Sequence, residues 1–207
     1  PAVHEAFPGV AIDAYCEEGA WSKEECLRLF DRAIELGHPV RVHADQFHAL
    51  GMIRAAVERG FASVDHLEAT GPASMRLLAE SDVAGVMLPC SGFHVDGRYA
   101  DGRTFIGGGG ALCLATNCNP GSSPTSSMPM AIALAVRNLG ITAAEAITAS
   151  TRNGAALLAF GDRGYIAAGA RADLVLLRHV DERMLGYEFG GNPVEWVMCA
   201  GRVVRSA

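Results

Sequence analysis

The chain has 207 residues, 50% of them apolar and 19% charged, with a formal charge of −6. That length and apolar content supply a core for one large domain, or a domain and a half, of a soluble globular protein. No apolar run reaches bilayer-spanning length, no signal-peptide pattern opens the chain, and an acidic balance without a Lys/Arg cluster argues against nucleic acid and membranes as partners.

Six cysteines stand at 16, 26, 90, 113, 118 and 199, with no CxxC pair. Several lie inside apolar runs, where Cys behaves as a small buried hydrophobe. A reduced, cytoplasmic protein is the expectation. The sequence starts at Pro1, and its first residues read as a helix tail running into a strand. The expected object is therefore a fragment lacking an amino-terminal part.

In chain order, strand-like apolar runs are predicted at Val10–Tyr15, Pro39–His43, Ala62–His66, Val83–Pro89 and Ala111–Thr116. Helical patterns lie between the early ones. Ser22 to Gly37 is the cleanest: Ser22 and Glu25 make a capping box, Cys26, Leu27, Phe30, Ala33 and Ile34 recur at helical spacing, and Gly37 stops it. Phe47 to Gly60 and Pro72 to Ser81 follow the same plan. Ser91 to Gly110 is read as a loop with a weak or shortened helix. Helices follow near Ser126–Asn138, Thr142–Ala149 and Arg152–Phe160, then short β runs at Asp173–Arg178, Glu195–Cys199 and Arg202–Arg205.

Alternating strand and helix signals βαβ units and a parallel sheet. The fold class is α/β: the later part of a (β/α)8 barrel over residues 1–163, with a small β-sandwich portion over 164–207. A doubly wound open sheet gives the same pattern of elements.

Chemistry in such sheets sits at the carboxyl ends of the strands. His43 closes the second run and His66 the third, while Asn117 and Asn119 follow the fifth. An isolated His at a strand end ordinarily serves structure; two at equivalent ends of neighbouring strands frame a metal-bound water. Asp45 and Glu68 stand beside them, as supporting partners or as loop carboxylates. Gly121-Ser122-Ser123 offers backbone N–H groups that can cradle an anion, or make an ordinary turn. His4, His38, His48, His94 and His179 are read as structural.

These residues resemble a known family. His-Ala-Asp-Gln (43–46), Val-Asp-His-Leu-Glu (64–68), Leu-Pro (88–89) and Ala-Thr-Asn-Cys-Asn-Pro-Gly-Ser-Ser-Pro-Thr (115–125) look like imidazolonepropionase, an amidohydrolase of histidine degradation. Cys16-Glu17-Glu18-Gly19-Ala20 resembles its earlier strand end, and Gly169-Ala170-Arg171-Ala172-Asp173-Leu174-Val175 its return into a β-sandwich. The resemblance implies hydrolytic opening of 4-imidazolone-5-propanoate to N-formimidoyl-L-glutamate, with one divalent ion, zinc or iron. It implies His43 and Asn117 as metal ligands, His66 as the residue that activates water, and Gln46 as a catalytic contact to the imidazolone ring. Asn119, Gly121 and Ser122 would hold substrate, and the full-length protein would be a homodimer.

Two features depart from the family. The His-x-His pair of its first strand is absent, so the chain alone is expected to be inactive, and a cut barrel with open strand edges is expected to aggregate. Asn117 stands where the family usually has Asp, replacing an anionic ligand by a neutral amide oxygen. Another cyclic-amide or deaminase-type amidohydrolase, or a non-catalytic binding protein on the same scaffold, are the alternatives.

Overall fold

The computed structural model describes residues 1–206; Ala207, the last residue of the expected β portion, lies outside them. In chain order the elements are α1 (Ala2–Ala6), β1 (Tyr15–Cys16), α2 (Lys23–Glu35), β2 (Arg41–Ala44), α3 (Met52–Arg59), β3 (Ser63–His66), α4 (Pro72–Ala79), β4 (Ala84–Met87), α5 (Pro89–Val95), α6 (Gly102–Gly107) and β5 (Leu112–Leu114). Then come α7 (Met128–Asn138), α8 (Ala143–Ser150), α9 (Arg152–Leu157), β6 (Leu174–Leu177), α10 (Met184–Tyr187), β7 (Val194–Cys199) and β8 (Arg202–Ser206). The chain forms two compact units, Pro1–Met87 with Arg98–Leu112, and Leu88–Gly97 with the chain from Cys113 onward.

In the first unit the sheet takes the order β1-β2-β3-β4-β5, β5 entering it at Leu112. Strands β1 to β4 pair in parallel. A doubly wound sheet reverses its strand order at a switch point. This one runs without reversal, as in a barrel wound in one direction, and so decides between the two folds that the element pattern left open. The predicted run at Val10–Tyr15 carries the strand label only at Tyr15–Cys16. It nevertheless pairs with β2 from Ile12 onward, through Ile12 N–H to Pro39, Arg41 N–H to Ile12 and His43 N–H to Ala14.

Helix α2 forms as the sequence predicts. Ser22 and Glu25 close a reciprocal capping box, and Cys26, Phe30 and Ala33 face inward. Phe30 is fully buried, its ring edge-on to Phe61 at 5.0 Å between centroids. Helix α3 starts five residues later than the predicted Phe47, because the Phe47 and His48 N–H groups donate to the Glu17 carboxylate instead of opening a helical turn. The segment 91–110, read as mostly loop, holds two short helices. Pro89 opens α5 at a position where its missing N–H costs nothing, which also ends the predicted Val83–Pro89 strand at Met87. At the end of α6, buried Phe105 lies so close to Gly110 that an added Cβ would sit 2.5 Å from its ring.

The second unit carries α5, α7 to α10 and an antiparallel sheet in the order β6-β7-β8, the predicted small β portion. Cys90, Ala131 and Leu134 form a buried cluster where α5 meets α7. The sequence reading does not include α10. Its four residues are held from outside: the Arg137 guanidinium donates to the carbonyls of Gly186 and Tyr187, each at 2.7 Å.

Candidate active site

In the first unit, strands β1, β2 and β3 end side by side. Register pairs Tyr15 with His43 and Ala44 with His66. Successive strand residues point to opposite faces, so on a regular pleat His43 and His66 would point apart. The backbone leaves extended geometry at His66 (φ 91°) and Leu67 (φ 77°). The two rings then meet at 5.6 Å between centroids, 62° between planes. Positive φ at a non-glycine residue costs about 1–3 kcal/mol, and such strain collects at functional sites. The two histidines that sequence spacing singled out are therefore neighbours in space.

Each ring has a carboxylate on Nδ1. Asp13 approaches His43 Nδ1 with Oδ1 at 3.1 Å and Oδ2 at 2.9 Å. Both Glu68 oxygens lie 3.3 Å from His66 Nδ1, and both side chains are buried. Glu68 is thus a partner of His66, not an exposed loop carboxylate. Burial pulls the His43 imidazolium down in pKa, but Asp13, through its hydrogen bond and charge, and Asp65 outweigh it and raise the net value. Asp65 is pushed up by burial, against a 2.6 Å hydrogen bond donated by the Ser63 hydroxyl.

Asp45 serves the loop behind this pair. It has φ 57°, its carbonyl accepts from Ala69 N–H, and Oδ2 accepts from the Thr70 hydroxyl at 2.9 Å. Oδ1 is buried without a hydrogen bond, and burial raises the carboxyl pKa. Gln46 is buried and its Oε1 accepts from the Tyr15 hydroxyl at 2.8 Å. Burial, with the charges of Glu17 and Glu68, pushes Tyr15 up to about 12, so it stays a donor. Glu17 is buried too. Burial alone would raise its carboxyl, but the Phe47, Glu18 and His48 N–H groups, with the His48 ring, hold it below the ordinary range. His48, read as structural, takes that role here.

The second unit holds the loop 115–125. Asn117 has φ 54°, a conformation Asn tolerates better than most residues. Its Nδ2 donates to the Ser122 hydroxyl at 3.1 Å. Asn119 Oδ1 accepts from Gly121 N–H at 2.9 Å and Ser122 N–H at 2.8 Å, and its Nδ2 donates to the Asn117 carbonyl at 2.6 Å. Ser123 N–H turns back to the Asn119 carbonyl. Of the two readings of Gly121-Ser122-Ser123, cradle or ordinary turn, the structure shows the turn: its N–H groups are taken up by Asn119, a plug of the Asx-turn kind. Beside the loop lies a cavity of about 280 Å³ lined by Cys90, Phe93, His94, Ser123, Thr125 and Met130 among others, which gives His94 a place the sequence did not suggest.

Among the described residues, no three His, Cys, Asp or Glu side chains converge on a metal-holding arrangement. His43 still has the form of a ligand. Its Nδ1 is on a carboxylate, and Nε2 makes no hydrogen bond among the described residues, Asp65 Oδ2 being 4.0 Å away. Zinc takes four donors in a closed site and three protein donors in a catalytic one. His43 supplies one nitrogen and the Asn117 amide one neutral oxygen. Each, taken within its own unit, is a donor of a kind that zinc or iron accepts.

Asp13, Tyr15, Glu17 and Thr70 were missed as participants by sequence reasoning. Glu17, a carboxylate just past a strand end, carried a usable signal; the others show themselves only through their tertiary partners.

Parallel strands in unreversed order, with the His43 and His66 pair at their carboxyl ends, and a small antiparallel sheet define part of a (β/α)8-type α/β fold with an appended β portion. A model of the amidohydrolase family matches residues 3–204, and the chain belongs to that family. It is 46% identical over 198 residues to the imidazolonepropionase of Herpetosiphon aurantiacus, covering 95% of this chain and 46% of that protein. It is 44% identical over 191 residues to the imidazolonepropionase of Deinococcus radiodurans, covering 92% and 48%. The chain spans about half the length of these curated relatives. Among solved structures, an adenosine deaminase from Xanthomonas campestris with bound zinc matches with a TM-score of 0.73 at 22% identity, over 95% of this chain and 51% of that one. At that identity the likeness concerns fold alone, and it bears out part of a (β/α)8 barrel with a small β portion.

Proposed function

We propose that the whole protein carrying this chain is an imidazolonepropionase-type hydrolase, opening the ring of 4-imidazolone-5-propanoate to N-formimidoyl-L-glutamate in histidine degradation. The observation that carries the reading is the His43–His66 pair, two imidazoles 5.6 Å apart between ring centroids at adjacent strand tips, each with a carboxylate on Nδ1 and, among the described residues, no hydrogen bond at Nε2. The names of the relatives support the substrate. Zinc or iron, held through His43 and Asn117 with further ligands, would polarise the attacking water and the ring carbonyl.

The chain's own residues divide the remaining work. His66 Nε2 accepts a proton from the water as its oxygen adds to the ring carbonyl carbon. The C–N bond of the cyclic amide then breaks, the proton passes from His66 to the leaving nitrogen, and the new carboxyl group releases the second water proton to solvent as it becomes a carboxylate. Gln46, steadied by Tyr15, meets the imidazolone ring. Asn119, Gly121 and Ser122 hold the propanoate end, Asn119 Oδ1 ordering the Gly121 and Ser122 backbone that meets it.

We further place residues 1–163 in the barrel and 164–207 in a β-sandwich, and the enzyme in the cytoplasm as a homodimer. None of the described helices is long and apolar enough to cross a membrane, and all six cysteines are free thiols. With only part of a ligand set, the 207-residue chain by itself is expected not to turn over substrate. The test is therefore a chimera in which this chain replaces the matching 198 residues of the Herpetosiphon aurantiacus relative. Formation of N-formimidoyl-L-glutamate supports the reading. A folded, metal-loaded chimera that opens other cyclic amides but not this one overturns the substrate assignment.

A further inference from the structure

We propose that Asp13 and Glu68 are positioning residues that fix both site histidines in one tautomer, with the proton on Nδ1 and a bare lone pair on Nε2. A carboxylate has no proton to donate at neutral pH, so a hydrogen bond between it and an imidazole nitrogen requires the N–H to be on that nitrogen. Asp13 brings both oxygens to His43 Nδ1, at 3.1 and 2.9 Å. Glu68 Oε1 is hydrogen-bonded to His66 Nδ1 at 3.3 Å, while Oε2, also 3.3 Å away, is buried without a hydrogen bond of its own among the described residues. The competing acceptor at His43 is Asp65, whose Oδ2 is 4.0 Å from Nε2, beyond hydrogen-bond reach, while its Oδ1 is committed to the Ser63 hydroxyl at 2.6 Å. No described residue hydrogen-bonds Nε2 of either ring.

The two clamps come from different places in the fold, and that separates their effects. Asp13 reaches His43 from the run that pairs alongside β2, so it depends on the β1–β2 register. Glu68 lies two residues beyond His66 on the same bend, so the positive φ angles at His66 and Leu67 fold the carboxylate back onto the ring. The consequence differs as well. At His43 the bare Nε2 is a ligand for a divalent cation; at His66 it is a proton acceptor.

The assignment rests on the proposed use of His43 and His66, but its test does not need activity. The 207-residue chain is labelled with ¹⁵N-histidine and its imidazole nitrogens are read by NMR at alkaline pH, where both rings are neutral. His43→Gln and His66→Gln assign the signals. The expected spectrum has a pyrrole-like δ1 and a pyridine-like ε2 nitrogen for each ring. A pyridine-like δ1 nitrogen at either of the two rings in the unaltered chain overturns the proposal. Asp13→Asn and Glu68→Gln retain an acceptor but add a donor, and are expected to mix the tautomers of the ring each one contacts and leave the other unchanged. An unchanged ratio in both variants also overturns it. In the chimera, Asp13→Asn is expected to weaken zinc affinity about tenfold to a hundredfold, and Glu68→Gln to leave it unaltered. Correct tautomers without turnover would sink the functional reading alone.

Discussion

The Tyr15 hydroxyl donates to Gln46 Oε1 at 2.8 Å, joining the end of β1 to the loop after β2 inside the candidate site. Tyr15→Phe removes the Tyr15 donor from that buried amide oxygen. It is expected to lower stability by about 1–3 kcal/mol, and in the chimera to lower kcat/KM roughly tenfold, the loss that follows from about 1.4 kcal/mol. Urea unfolding and steady-state kinetics check the two effects separately.

Glu17 links the site to pH. Its folded-state pKa lies below the unfolded value because N–H groups of Phe47, Glu18 and His48 hold the anion in place despite burial. Its contribution is therefore present above the unfolded carboxyl pKa and lost as pH falls through the depressed folded one. Asp45 has the opposite sign: burial raises its pKa, so its ionisation weakens the fold at neutral pH and the penalty is relieved in acid. Glu17→Gln is expected to flatten the acid loss of stability, and Asp45→Asn to stabilise the protein at neutral pH and not in acid. Unfolding midpoints measured from neutral to acid pH check both signs.

Much of this was legible in the residues themselves. Ser22 and Glu25 announced a helix start because a capping box is a local interaction. His43 and His66 announced a site because each ended an apolar run. The Asp13 clamp could not be read, since it depends on which strand lies beside β2. The start of α3 was misplaced for the same reason: Glu17, thirty residues away in the chain, takes the N–H groups of the predicted first turn. Gly121-Ser122-Ser123 stays open between cradle and turn in the sequence, because sequence does not reveal that Asn119 folds back onto its N–H groups.

That plug is testable. Asn119→Ala removes the acceptor for Gly121 and Ser122 and the donor to the Asn117 carbonyl. In the chimera it is expected to raise KM about tenfold with a smaller change in kcat, as expected for a lost ground-state contact. Asn119→Asp keeps the acceptor but repels a substrate carboxylate, and is expected to raise KM further.

The packing of the first unit rests on the Phe30–Phe61 contact between α2 and the start of the β3 segment. Phe30→Ala empties a fully buried site and is expected to cost about 3–5 kcal/mol. Thermal unfolding of the 207-residue chain measures it, and Phe30→Leu is expected to recover part of the loss.

The most direct test of the division of labour at the strand tips is a paired measurement of bound metal and turnover in the chimera. His43→Ala is expected to lose both the metal and hydrolysis of 4-imidazolone-5-propanoate. His66→Ala is expected to retain the metal at the level of the unaltered chimera while turnover falls by about 10²–10⁴-fold, the range for a lost general base. Retained metal and turnover in His43→Ala, or undiminished turnover in His66→Ala, would contradict the account.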